Sequence, residues 1–115
     1  MKNLEKCTLI ESEHDLEKIL QRKENCFILF YAEWCPFSQR FLPIFQQCAK
    51  DAHYECYRMK IDEYPHLCNR YAVDVYPTIV FFEKGIAVER VDGIHGVGLN
   101  ERQFQELIKV CLLRK

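Results

Sequence analysis

The sequence predicts an α/β fold, a central mixed sheet of about five strands flanked by four helices. Three patterns carry that prediction. Cys26-Phe27-Ile28-Leu29-Phe30-Tyr31 is apolar at every position, strand-like and helix-like segments alternate around it, and Lys84-Gly85 marks a hairpin near the end. A continuous apolar run of that length suits a central strand buried on both faces. The 115 residues suit one domain, 1–115, able to bury roughly two-thirds of the surface its unfolded chain exposes.

Taken in order, residues 4–10 read as a short strand, and Ser12 with Asp15 three residues later reads as an N-cap with an acidic first turn. The helix that follows sets Leu16, Ile19 and Leu20 on one face. After the apolar strand, residues 36–50 form a helix opening on Pro36, a favoured first helical residue, with a kink expected at Pro43. Residues 54–61 read as a strand, 63–71 as a short helix and 77–83 as a strand. Lys84-Gly85 turns the chain into a partner strand, Ile86 to Val91. Asn100 with Gln103 gives a capping-box pattern for a last helix, whose stripe is Phe104, Leu107, Ile108 and Cys111.

Composition narrows the function classes. With 49% hydrophobic and 29% charged residues and a net charge of -1, the chain has no electrostatic footprint for nucleic acid or an anionic membrane surface. No apolar run is long enough to span a bilayer, and Met1 to Lys6 lack the apolar core of a secretory signal. Seven irregularly spaced cysteines make a poor disulfide framework, so a reducing compartment, the cytoplasm, is expected.

Chemistry concentrates at Phe30-Tyr31-Ala32-Glu33-Trp34-Cys35-Pro36-Phe37-Ser38, where a buried strand turns into a helix. A cysteine acts as a nucleophile only as its thiolate, and an ordinary thiol is only about 3% ionised at pH 7. Unpaired amides and the positive end of the helix dipole favour the anion, and Trp34 is placed to shield one side of the sulfur. The competing reading of Cys35 is a small buried core residue. Cys26, Cys48, Cys56 and Cys111 fall on apolar faces and read as core, whereas Cys7 and Cys68 are candidates for exposed thiols, Cys68 also for a remote resolving one. His14, His53, His66 and His95 read as surface residues without metal-ligand spacing.

Several of these residues together resemble the thioredoxin family. Ala32-Glu33-Trp34-Cys35 matches the start of its active site, which in the family continues Gly-Pro-Cys. Pro43 matches the proline inside the active-site helix, and Asp62 the acidic residue ending the third strand. Tyr76-Pro77-Thr78 matches the cis-proline loop facing the active-site cysteine, and Gly93 the glycine beside the substrate groove. The resemblance spans nearly the whole chain, with a small insertion around Gly96-Val97-Gly98. It implies a thioredoxin fold, and a groove in which the backbone before Pro77 pairs with an extended substrate. Trp34, Pro36, Phe37, Val75, Tyr76, Pro77 and Gly93 would form the docking surface around the catalytic pair Cys35 and Ser38. Tyr76, where the family usually has a smaller aliphatic residue, either makes that surface more aromatic or simply packs at the loop.

Two departures bear on mechanism. Ser38 stands where the family has its resolving cysteine, and Leu29 where many members bury an aspartate that shuttles a proton. Arg58 lines up with the lysine beside that aspartate and is expected to reach solvent or an acid such as Glu33, since an unpaired buried guanidinium is costly. Both losses fall on the second half of thiol–disulfide exchange. The first half survives: Cys35 can attack a disulfide or a modified cysteine on a protein substrate and form a mixed disulfide. The Ser38 hydroxyl is expected to donate to the sulfur. Release then falls to glutathione, another low-molecular-weight thiol, or a second client cysteine. The rival reading is a redox-inactive binding module docking through Trp34, Phe37 and Tyr76. Cys-Pro-Phe-Ser also differs by one residue from the Cys-Gly-Phe-Ser of monothiol glutaredoxins, which bind iron–sulfur clusters with glutathione. Their Thr-Val-Pro loop and acidic glutathione-binding pair are missing here, so no cofactor is expected.

Overall fold

β2 (Cys26–Tyr31) is buried at every position and lies at the centre of the sheet. The computed structural model describes residues 7–50 and 53–114. β2 pairs in parallel with β3 (Glu55–Lys60) and antiparallel with β4 (Thr78–Glu83), so that Leu29 sits between Arg58 and Ile79. β1 (Cys7–Ile10) adds in parallel to β3, and β5 (Ile86–Asp92) antiparallel to β4, giving the order β1-β3-β2-β4-β5. The mixed sheet predicted from the segment order is therefore present.

Alternation along β2 divides the core. Phe27, Leu29 and Tyr31 face one side, where Phe41 and Phe45 of α2 (Pro36–Ala49) and Phe104 and Leu107 of α4 (Glu101–Leu112) cover them. Cys26, Ile28 and Phe30 face the other, against Leu16 of α1 (Glu13–Gln21) and Leu67 of α3 (Pro65–Arg70). Burying each large apolar side chain contributes about 1.5–3 kcal/mol. Both faces of one strand are thus enclosed, which explains why its sequence has no polar face.

The helix starts follow their caps. Ser12 Oγ accepts from the Asp15 amide at 3.0 Å, and Asn100 and Gln103 form a reciprocal capping box with bonds of 2.9 and 2.8 Å. Lys84 and Gly85, at φ 55° and 84°, close the β4–β5 hairpin. A Cβ on Gly85 would lie 2.7 Å from the Leu20 carbonyl oxygen, so that turn needs glycine for space as well as for backbone angle.

The structure adjusts several expectations. The first strand is described from Cys7 onward, and residues 4–6 of the expected strand lie outside the described residues. α2 continues through Pro43 to Ala49. β3 ends at Lys60 and passes into a 3-10 turn, Ile61–Glu63, so Asp62 follows the strand rather than ending it. α3 begins only at Pro65, where proline suits the first helical turn.

Candidate functional site

Cys35 caps α2 with extended backbone angles, and no side-chain hydrogen bond occupies the first-turn amides. It is 6% exposed, with its sulfur 4.0 Å from the Tyr76 carbonyl oxygen. The Tyr76–Pro77 peptide bond is cis. Gly93 lies against this loop: its amide donates to the Pro77 carbonyl at 2.9 Å, and a Cβ there would come within 2.6 Å of the same oxygen. Side chains at 93 are excluded by backbone proximity.

The structure brings most of the sequence-predicted residues together. Trp34, Cys35, Phe37, Val75 and Tyr76 line one groove of about 450 Å³, joined by Asp74, Ile94, His95 and Gly96. Pro36, exposed at the first position of α2, and Pro77, buried, adjoin lining residues in sequence but are not among them. Trp34 is 65% exposed, yet its position is defined. Its indole N–H donates to Asp62 Oδ2 at 2.8 Å, and its ring meets Tyr76 edge-on at 5.8 Å. Trp34 therefore forms an aromatic pair with Tyr76 in the groove that Cys35 also lines. Tyr76 lines the groove beside Trp34 and also packs against the core cluster of Ile28 and Phe30.

Ser38 is 1% exposed, directly behind Cys35 in the first turn. Its Oγ accepts from the Ala32 amide at 3.3 Å. Accepting uses an oxygen lone pair and leaves the hydroxyl hydrogen for donation. Ala32 follows the end of β2, where its amide has left the ladder, and a buried amide needs a partner. Serine supplies that acceptor. Arg58 is half-buried and lines a surface pocket, in keeping with the solvent alternative. Its Nε donates to the Cys7 carbonyl at 3.3 Å, whereas Glu33 lies 3.8 Å from Lys60 Nζ. Parallel pairing of β3 with β1 brings the Cys7 carbonyl within reach of Arg58, which lines one pocket with Glu33 and Lys60.

The remaining thiols separate by burial. Cys7, Cys26, Cys48, Cys56 and Cys111 are buried, so the expectation of an exposed Cys7 is corrected: β1 turns that side chain into the core under α2 and α4. Burial, reinforced by nearby glutamates, pushes the Cys26 and Cys111 thiols up to about 12, which keeps both protonated at neutral pH. Cys68 is half-buried and donates to the Ile61 carbonyl at 3.4 Å, with the Tyr76 hydroxyl 3.9 Å away.

Burial first, and then the hydrogen bond with Cys68, push the Tyr76 hydroxyl up to about 12 from its ordinary 10.0. A folded-state value above the unfolded one means that this stabilisation is fully present below pH 10 and lost as pH rises toward 12. Burial also raises the Tyr31 and Tyr57 hydroxyls, so ultraviolet titration is expected to show a late-ionising tyrosine component that Tyr76→Phe reduces without abolishing; an undiminished late component would place that ionisation elsewhere.

Two positioning residues carry no local sequence signal. Arg90 donates to the Tyr71 and Ala72 carbonyls at 2.6 and 3.0 Å and to Asp92 at 2.8 Å, tying down the segment that leads into Val75 and Tyr76. Arg40 donates to the Val97 carbonyl and lies over the Phe37 ring, 5.5 Å from its centroid. Both bonds run from a side chain to backbone far away in sequence, so no spacing rule finds them.

A thioredoxin family model matches residues 7–109. The chain belongs to the thioredoxin family. It is 36% identical over 81 residues to mouse Protein disulfide-isomerase A5, a match covering 66% of this chain and 16% of that protein. It is 32% identical over 90 residues to mouse Endoplasmic reticulum resident protein 44, covering 70% and 22%. A thioredoxin-like protein of Synechocystis is 31% identical over 81 residues, covering 69% of this chain and 77% of its own length. Among solved structures, a poplar thioredoxin h superposes with a TM-score of 0.80 at 17% identity, covering 96% of this chain and 99% of that one. At that identity the likeness is one of fold. Among the described residues, no helix is long and apolar enough to cross a membrane.

Proposed function

We propose that this thioredoxin-family chain is a monothiol exchange protein that captures its clients through Cys35. The carrying observation is the pairing of a groove-facing cysteine at a helix N-terminus with a serine whose oxygen serves the backbone. Family membership and relatives named as disulfide isomerases support thiol–disulfide chemistry in general. The single-thiol form rests on Ser38.

In the proposed step, the Cys35 thiolate attacks one sulfur of a client disulfide, or of a glutathionylated cysteine. The Cys35–client S–S bond forms as the old S–S bond breaks. The departing thiolate takes a proton from solvent, and no external oxidant or reductant is consumed. A second thiolate, from glutathione or another client cysteine, then attacks the mixed disulfide and restores Cys35. Ser38 cannot perform that attack, because a hydroxyl neither ionises at neutral pH nor forms a disulfide.

The exposed, hydrogen-bonded Trp34 supports a second reading, a non-covalent docking module on the same surface. Incubation with a disulfide-containing peptide and analysis by intact mass separate the two. The expected result is a reductant-sensitive adduct of one peptide half in the wild type and none in Cys35→Ala. Equal, adduct-free binding by both proteins would favour the docking module. The buried, irregular cysteine set supports a reducing compartment such as the cytoplasm. One relative is named for the endoplasmic reticulum and another for the chloroplast, so that placement rests on this chain's own cysteines.

A further inference from the structure

The segment before α4 is more than a connection. Ile94 and Gly98 form an antiparallel bridge, with reciprocal amide-to-carbonyl bonds of 2.9 and 2.8 Å. The result is a miniature hairpin that leaves Ile94 53% and Val97 54% exposed. Arg40 fastens it to α2 by donating to the Val97 carbonyl while its guanidinium covers the Phe37 ring. Gly98 completes the attachment: at φ 90° it lies so close to α2 that a Cβ would be 2.8 Å from Phe37 Cβ and 3.1 Å from an Arg40 nitrogen. Helix and hairpin are thus held in contact by three residues two turns or less from the reactive cysteine or bonded to such a residue.

This attachment joins two parts of the groove lining: Trp34, Asp74 and Tyr76 line it together with Phe37 of α2 and Ile94 and His95 of the hairpin. The lining includes one carboxylate, Asp74, and neither lysine nor arginine, and Arg40 stands behind the wall with its cation committed to the hairpin. We infer that the Arg40-fastened hairpin is a recognition wall for extended disulfide-bearing peptides that place apolar side chains against Ile94 and a cationic residue toward Asp74. A small disulfide is expected to need the sulfur alone and not that wall. Arg40 is a positioning residue in this account, acting through Val97 and Phe37. The inference rests on the exchange chemistry proposed above and adds the class of client.

The test compares three probes on the purified protein: a peptide disulfide with lysine two residues from its cysteine, the same peptide with glutamate there, and bis(2-hydroxyethyl) disulfide. Wild type is expected to half-saturate with the lysine peptide at a concentration about fivefold below the glutamate peptide, an advantage that shrinks at high salt. Arg40→Ala is expected to raise the half-saturating concentration for the lysine peptide about tenfold, leaving the rate with the small disulfide unchanged. Arg40→Lys, which keeps a donor for the Val97 carbonyl, is expected to recover part of the loss. Gly98→Ala provides a second way to displace the hairpin and is expected to show the same peptide-selective loss. If wild type forms no adduct with the small disulfide, the exchange chemistry fails and the inference with it. If wild type does react, equal effects of both variants on peptide and small disulfide, or no effect on either, overturn the recognition wall alone.

Discussion

Ser38→Cys is expected to raise steady-state turnover of a disulfide substrate about tenfold or more in the presence of a recycling reductase. An internal thiol acts at an effective concentration of millimolar or higher, whereas release from the wild type depends on collision with another thiol. The position suits the exchange. Residue 38 sits in the first turn of α2, three positions beyond Cys35, and both side chains are buried at the same helix start. The substitution also removes the Ser38 oxygen from the Ala32 amide, for which a stability cost of about 1 kcal/mol is expected. Insulin reduction by turbidity, alongside a denaturant midpoint, reads both effects. A variant no faster than wild type would show that resolution does not limit the cycle.

Phe104→Ala is expected to have the largest effect on the fold. Phe104 is fully buried and joins three elements: its ring lies 5.4 Å from Phe27 in β2, and 6.5 and 5.0 Å from Phe41 and Phe45 in α2. Removing a buried phenylalanine costs about 3–5 kcal/mol through lost transfer free energy and the cavity left behind. That is a large share of the roughly 5–15 kcal/mol by which domains of this kind are stable. The helix it anchors follows the 94–98 hairpin directly, so loosening α4 is also expected to loosen one side of the groove. Urea unfolding followed by circular dichroism checks the magnitude. A loss below about 1 kcal/mol would mean that the aromatic cluster repacks around the gap.

Much of this architecture was legible locally. β2 announced itself because both its faces are covered, and the caps at Ser12 and Asn100 because each uses a side chain three residues from its partner. Cys35, Trp34, Phe37, Val75 and Tyr76 converge on one groove as the family resemblance implied. What sequence missed was long-range and one-sided. Arg40 and Arg90 bond to distant carbonyls that have no residue identity to betray them. The Arg58 contact was not legible because it depends on strand register: its Nε donates to the Cys7 carbonyl, and Glu33 falls beside Lys60. The Ser38 contact escaped for a similar reason, since the need of the Ala32 amide for an acceptor is invisible without the turn. Cys7 was a candidate for an exposed thiol, yet β1 places it against the cluster under α2 and α4.

The central claim is that capture and release are separate events, the first carried by Cys35 and the second by another thiol. The most direct measurement follows the mixed disulfide by intact mass after acid quenching, with a peptide whose captured half carries no second cysteine. The account predicts a Cys35-linked adduct that accumulates and persists in buffer, then disappears at a rate proportional to added glutathione. An adduct that decays equally fast without added thiol, or one linked to a cysteine other than Cys35, would contradict it.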